Sequence, residues 1–395
     1  MSFAATLAVL SVGVACASTA STAVYRYRLR HPRPRSAAGD AITLIMAVTG
    51  DAEQLARLID ELASQTIRPR RLILGIESEL DPAFRAASRI ASSSPIPIEI
   101  AIGGEASTSS QKCANLIAAC RRIDDRDRVV VFLDADIRPP RWWLETLVTP
   151  LSKGRADIVT GYRWPMIELA TAGSHLIVAI DRAVGLLPRL RWAEAVWGGS
   201  IAASADALRR MRPDRMFAAT LSDDLALGRA AAELGLRVLW RGALLVPTPL
   251  SHDLASAWRF GRRQYQMVRL YRPALWAAAL SLVALQLLVW CLLLAGASHD
   301  ETLRGALALV LLLGVVRQAL TQNVGTRLDF GDTATTRALQ YVLSLASPLV
   351  DGFHLSMILG AARVRRVTWA HVRYRVDARL NIRIEHRTAW PRSAP

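Results

Sequence analysis

The sequence predicts an α/β domain on a mainly parallel sheet, set between an N-terminal and several C-terminal membrane-spanning helices. Three observations carry this: long uncharged runs near both ends, short β-branched runs alternating with helical stretches between them, and a cationic surplus beside the greasy runs. The 395 residues are 52% hydrophobic yet have a formal net charge of +16. That pairing suits a protein seated on anionic lipid, and it puts the bilayer rather than nucleic acid first as partner. Arginine supplies almost all the positive charge. Lys112 and Lys153 are the only lysines, which draws attention to Lys112. Cys16, Cys113, Cys120 and Cys291 form no CxxC pair, so neither a disulfide framework nor a zinc site is indicated and a reducing compartment fits.

Residues 3–24, FAATLAVLSVGVACASTASTAV, match the roughly 20 residues a helix needs to cross hydrocarbon and lead straight into YRYRLRHPRPR. A cleavable signal peptide competes, because ACA at 15–17 resembles a cleavage site. The positive region that should precede such a run is missing, and the arginines follow it instead. An anchor over 1–26 is the expectation, and the positive-inside rule then puts the next domain in the cytoplasm.

From 40 to 250 the pattern is that of an α/β domain, short β-branched runs alternating with helical stretches. Strand candidates are 42–48, 71–76, 96–102, 128–134 and 157–162, and helical periodicity fills 52–65, 81–92, 111–122 and 141–152. Such alternation gives βαβ units, and their ligands gather at the carboxyl ends of the strands. DRVVVFLDADIRPP (127–140) therefore matters: a strand greasy enough to be fully buried ends on Asp134 and Asp136. Two carboxylates at i and i+2 of a strand point to one side and can hold a hard divalent cation or a ligand's hydroxyls. A solvated turn before RPP is the plain alternative.

In TLSDDLALGRAAAELGLRVLW (220–240), Ser222 is a plausible N-cap, and Asp223 and Asp224 lie in the first turn, where carboxylates favour the helix dipole. Adjacent acids in a cleft also suit general-base work, since one raises the pKa of the other.

Beyond the domain, 251–273 is basic and aromatic, with Trp258, Tyr265 and Tyr271 spaced as an interfacial segment. The membrane region is expected over 274–362, with spans at 274–297 and roughly 303–320 joined by an outside turn, SHDETLR. Arg317 is expected near the end of the second, where it can snorkel. A further segment, 338–362, is broken by SPLVDG and reads as a hairpin or interfacial element that returns a basic cytoplasmic tail, 363–395. Asp351 in that break is a candidate functional charge or a turn cap; His252 and His354 read as structural.

Taken together, GIESELDPAF (75–84), FLDADIRPP, SDD, and WRFGRRQYQMVRLY (258–271) before membrane helices resemble the family-two-type inverting glycosyltransferases. Within these the chain is most similar to the ceramide glucosyltransferase branch. GGEASTSSQKCANL (103–116), AVWGGSIAASADAL (195–208) and RRVTWAHVRYRV (365–376) carry that finer likeness. The resemblance implies a GT-A fold, a Rossmann-like mainly parallel sheet, and transfer of a hexose from a nucleotide sugar, UDP-linked, to a membrane-lipid hydroxyl. The setting it implies is a multi-pass protein of a bacterial inner membrane.

It also implies roles. Glu77 or Glu79 stands where the nucleotide-side acid belongs, with glutamate in place of the usual aspartate. Asp134 and Asp136 bind the nucleotide sugar, with Asp136 the favoured ligand of Mg²⁺ or Mn²⁺. Lys112 lies near the diphosphate, and Asp224 is the base with Asp223 beside it. Gly198, Gly199, Arg263 and Gln264 fall on the acceptor and diphosphate side. The departure is the (Q/R)xxRW motif: RQYQM (263–267) has Gln266 and Met267 for Arg and Trp, and the rival register RFGRR (259–263) also lacks the Trp. A catalytically degenerate, lipid- or polymer-binding membrane protein is the competing reading.

Overall fold

The computed structural model describes residues 2–31, 41–188 and 196–390. Arg33 and Arg35 of the first basic run, Ala195 of the glycine motif and residues 391–395 of the tail lie outside them. The chain divides into two compact units, one of residues 1–31, 164–189 and 249–364, the other of 32–163, 190–248 and 365–395.

The first unit begins with helix α1 (Phe3–Arg28), and in the second the sheet follows, in the order β3-β2-β1-β4-β6-β5-β7. The strands are β1 (Ile42–Ala47), β2 (Arg71–Ile76), β3 (Ile98–Ile102), β4 (Val129–Leu133), β5 (Ile158–Ile167), β6 (Ser200–Ser204) and β7 (Val238–Leu250). The run β3-β2-β1-β4 is parallel, as the alternating pattern predicts, and is the core of the expected GT-A-like α/β class. β6 enters antiparallel between β4 and β5. Neither β6 nor β7 is foreseen from the sequence: SIAAS is short and poor in β-branched residues, and its strand state comes from pairing with neighbours on both sides.

β4 is buried along its whole length, which is why it reads as VVVFL without alternation. At the amino end of the sheet Asp127 accepts from Arg70 at 2.6 Å and Arg71 at 2.7 Å, and also from the Thr43 hydroxyl. That closed charge network leaves the opposite, carboxyl end to ligands. Helices α2 (Leu55–Ala63), α3 (Pro82–Ala91), α4 (Gln111–Cys120) and α5 (Trp143–Ser152) fill the predicted gaps. Asp81 caps α3 through the Ala83 N–H, with Pro82 at the first helical position. The same buried carboxylate accepts from Thr49 Oγ1 at 2.8 Å and the Gly50 N–H at 2.9 Å, tying the loop after β1 to the loop after β2.

Residues expected to form only a basic tail fold instead as a second, antiparallel sheet, β10-β9-β8, of β8 (Arg366–Trp369), β9 (Val372–Val376) and β10 (Ile382–Arg387). In VRYRV the apolar side chains and Tyr374 are buried while both arginines are exposed, a strict two-residue alternation. The arginines dominate the composition, but they occupy only one face.

In the other unit, α1 packs with α11 (Pro273–Ala297) and α12 (Glu301–Arg327) through Leu7, Trp290, Leu293, Leu303, Ala306 and Val310. These three helices are long and apolar enough to cross a membrane. Arg317 differs from its expected place: α12 runs on to Arg327, so Arg317 lies well inside the helix, with Asp351 as its charge neighbour. The interrupted segment is two helices, α13 (Ala334–Leu345) and α14 (Ser347–Gly360), bent by 84° at a break where Pro348 opens α14. Asp351 sits within α14, so it does not cap the turn. Helix α6 (Ala172–Gly185) presents Arg182 to Asp332 at 2.5 and 2.8 Å, with the guanidinium over the Trp164 ring. The basic segment is α10 (Leu254–Tyr271), where a side chain on Gly261 would strike Met357 of α14.

Candidate active site

The loops at the carboxyl ends of β3 and β4, the segment leading into the antiparallel β6 and the start of a helix after β6 bring four polar groups together. Helices α7 (Ala205–Met211) and α8 (Pro213–Met216) follow β6, and α9 (Asp223–Glu233) begins at the SDD sequence. Two tethers dock the start of α9 on the start of α4. The Ser110 N–H donates to the Thr220 carbonyl at 2.9 Å, and Thr108 Oγ1 donates to the Ala218 carbonyl at 2.8 Å. Asp223 and Asp224 thereby arrive beside Lys112.

Lys112 Nζ lies 2.6 Å from Asp134 and 2.9 Å from Asp223. Burial works against its charge, but the two carboxylates outweigh it and hold the ammonium well above the usual lysine range. Asp223 is pushed up to about 6, first by burial and then by Asp224 and Asp134, with Lys112 opposing. Asp224 is arranged differently. Its Oδ1 accepts from the Ser222 hydroxyl and from the Leu225 N–H at 2.7 Å, while the Gly198 N–H approaches Oδ2 at 3.4 Å. Ser222 occupies the N-cap position of α9, but its hydroxyl makes no cap bond, because it is turned onto Asp224.

Gly198 and Gly199 line the same place. A Cβ on Gly198 would come within 3.2 Å of Asp223 Oδ2, and one on Gly199 would lie 2.2 Å from the Trp197 ring, so Gly199 leaves no room for a side chain. β4 stops at Leu133, so Asp134 and Asp136 stand in the turn beyond it rather than on the strand. Their common side therefore comes from the turn and not from strand pleat. Asp136 borders a cleft of about 360 Å³ lined also by Val48, Asp51, Ala52, Gln54 and Leu55. Crowding beneath it, then the Asp134 charge, push Asp136 up to about 6, with Lys112 and Arg163 opposing. Its side chain is exposed at the cleft, where solvent screens part of this effect.

Among the described residues no three His, Cys, Asp or Glu side chains cluster as a metal site. Two carboxylates in one turn nevertheless fit a hard cation of the Mg²⁺ type, which takes one or two protein carboxylates and completes its shell with phosphate and water oxygens.

Glu77 lies at the carboxyl end of β2. It is buried and accepts from Arg387 Nη1 of β10, and His371 Nε2, in the turn between β8 and β9, lies 2.8 Å from its other oxygen. Burial raises Glu77 above the usual carboxylate range despite Arg387. Glu79, two residues on, is exposed. Arg263 and Gln264 are carried on α10 in the helical unit, where Gln266 is buried and donates to the Val364 carbonyl at 3.0 Å. Sequence reasoning missed Trp369, Tyr374 and Arg387, which reach the start of α4. The alternation of VRYRV was the available signal.

A model of glycosyl transferase family 21 matches residues 5–382. The chain belongs to that family. No curated protein matches it. Among solved structures this family 21 chain is similar to the mannosyltransferase PcManGT from Pyrobaculum calidifontis in complex with GDP-Man and Mn²⁺. That pair has 14% identity and a TM-score of 0.44, over 90% of this chain and 97% of the other. It is also similar to glucosyl-3-phosphoglycerate synthase from Mycobacterium tuberculosis in complex with Mn²⁺, UDP and phosphoglyceric acid. Here the identity is 16% and the TM-score 0.36, over 61% and 85% of the two chains. The protein is a nucleotide-sugar glycosyltransferase of family 21.

Proposed function

We propose that this transferase moves a hexose from a UDP-linked donor to the hydroxyl of a membrane lipid, with inversion at the anomeric carbon. The observation that carries the reading is the convergence of Lys112, Asp134, Asp223 and Asp224 at the carboxyl end of the sheet, in a chain with three helices apolar enough to span a bilayer.

Asp224 is the base. Its Oδ1 is fixed by Ser222 and Leu225, and Oδ2 is left for the proton of an incoming hydroxyl. The oxygen so freed attacks the anomeric carbon, the bond to the nucleotide diphosphate breaks, and the electron pair leaves with the diphosphate. Lys112 provides a fixed positive charge for those oxygens without reorganisation. Asp223 holds that ammonium from the side of α9. A divalent cation bound by Asp134 and Asp136 would neutralise further charge on the leaving diphosphate. Membrane helices and the formal net charge of +16 on the chain keep a lipid acceptor at the interface and lower the entropic cost of bringing it to the sugar. The catalytic unit then faces the cytoplasm, the side on which nucleotide sugars are made.

The test is transfer from UDP-hexoses to lipid extract by purified protein in nanodiscs. The reading expects one glycolipid product with inverted configuration, absent from D136A and D224A. Full activity in both variants overturns it, and lipidomics of cells with and without the protein identifies the acceptor.

A further inference from the structure

The C-terminal sheet touches the transferase site at three points on one short segment. Tyr374, 1% exposed, offers its hydroxyl oxygen to the Gln111 N–H at 2.9 Å, the residue before Lys112. Arg387 donates to Gln111 Oε1 at 3.0 Å and to the Ala106 carbonyl at 3.3 Å while binding Glu77. The Trp369 ring lies under Lys112, with Nζ 5.7 Å from its centroid. Gln111 passes these restraints on, since its side chain also holds the Gly104 carbonyl at 2.7 Å and Asn115 Oδ1 at 2.9 Å.

A lysine is a point charge on a flexible four-carbon stem, and its position must be enforced from outside. Asp134 and Asp223 attract the ammonium of Lys112 but make no bond to the backbone of the first turn of α4, which the C-terminal sheet restrains. A helix start also has backbone N–H groups without helical partners, and Tyr374 satisfies one of them. The aromatic face beneath Nζ adds a cation–π attraction that restricts the stem.

We infer that the C-terminal sheet is a positioning element of the transfer site: Trp369, Tyr374 and Arg387 fix the 103–110 loop and the start of α4 so that Lys112 meets the diphosphate of the donor. The donor half of this rests on the function proposed above; the positioning half does not.

The scarcity of lysine provides the test. Lys153 is exposed, so competitive acetylation of the intact protein, read by mass spectrometry, compares Lys112 with an internal reference. The expected result is acetylation of Lys112 at least tenfold slower than Lys153 in the parent protein. In Y374F it speeds up about fivefold and in W369L about tenfold, while W369F, which keeps an aromatic face, stays near the parent. Lys153 is unchanged throughout, which separates release of Lys112 from general unfolding. Alongside, the Kd for UDP with Mn²⁺ rises by similar factors in Y374F and W369L. Parent-like protection of Lys112 in both variants overturns the positioning role. Release of Lys112 with no change in UDP affinity upholds positioning and removes the donor-side role.

Discussion

The ammonium of Lys112, carried at the start of α4, lies 2.9 Å from the carboxylate of Asp223 at the start of α9. Two helix beginnings, each with its positive dipole end, are drawn together by an acid from one and a base from the other. The pair is mostly buried, with the side chains 16% and 7% exposed, so losing one partner strands the other. K112M should therefore weaken UDP binding by at least tenfold and lower the melting temperature. K112R should not restore binding, because the larger planar guanidinium can pair with both carboxylates but does not put a compact charge where the ammonium stands. Calorimetry with UDP and Mn²⁺ measures this, and unaltered affinity in K112M would refute it.

The two neighbouring acids should separate in kinetics. Asp223 is buried and engaged with Lys112, whereas Asp224 has Oδ2 turned toward Gly198. D224N is expected to lower kcat by about 10²–10⁴ with donor affinity nearly intact. D223N should raise the donor KM as well, because it removes one of the two carboxylates that hold the lysine. Equal effects of the two variants on kcat and KM would remove the distinction.

Cation binding should depend on pH in a defined direction. Asp136 is pushed up to about 6 from a usual value of 3.8. A carboxyl raised on folding favours the folded chain in its protonated form; that contribution is complete below 3.8 and is lost as pH rises through about 6. A bound cation must release that proton, so Mn²⁺ affinity should rise roughly tenfold per pH unit below about 6 and level off above it. The Mn²⁺-induced gain in melting temperature should grow from pH 5 to pH 7 and vanish in D136N. A gain independent of pH would contradict the assignment.

How much of this was legible follows from where each signal lives. The parallel core was readable because β1, β2, β3 and β4 are greasy, β-branched and separated by amphipathic helices. Lys112, Asp134 and Asp223 could be named because rare or paired residues stand at element ends, and Gly198 through the family resemblance of its motif. The strand β6 was not, since SIAAS becomes a strand only through its neighbours. The C-terminal sheet was hidden by composition: the arginines of VRYRV suggested a charged tail, while the buried Val372, Tyr374 and Val376 alternate between them. The family resemblance assigns Glu77 or Glu79 to the nucleotide side and says nothing of what else Glu77 touches. Its engagement with Arg387 and His371 depends on chain far away in sequence, which no local pattern reveals.

That distant pairing yields a last prediction. Glu77 is 3% exposed, and Arg387 is its closest cation. Breaking a buried pair by removing one partner leaves an uncompensated charge, at a cost of about 3–5 kcal/mol, whereas neutralising both partners is far milder. R387M should therefore destabilise the sheet-bearing unit strongly, since Glu77 would keep only His371. That histidine is held below its ordinary pKa by burial and then by Arg387, and loss of Arg387 lets it take up a proton more readily. Part of the loss in R387M should accordingly be recovered as pH falls, where His371 charges more readily than in the parent and answers Glu77. The double variant E77Q/R387M should recover most of it at every pH. Denaturant unfolding of the four proteins of this cycle at pH 5.5 and 8 gives the coupling directly. Additive losses at both values would mean that the two side chains are neighbours without being partners.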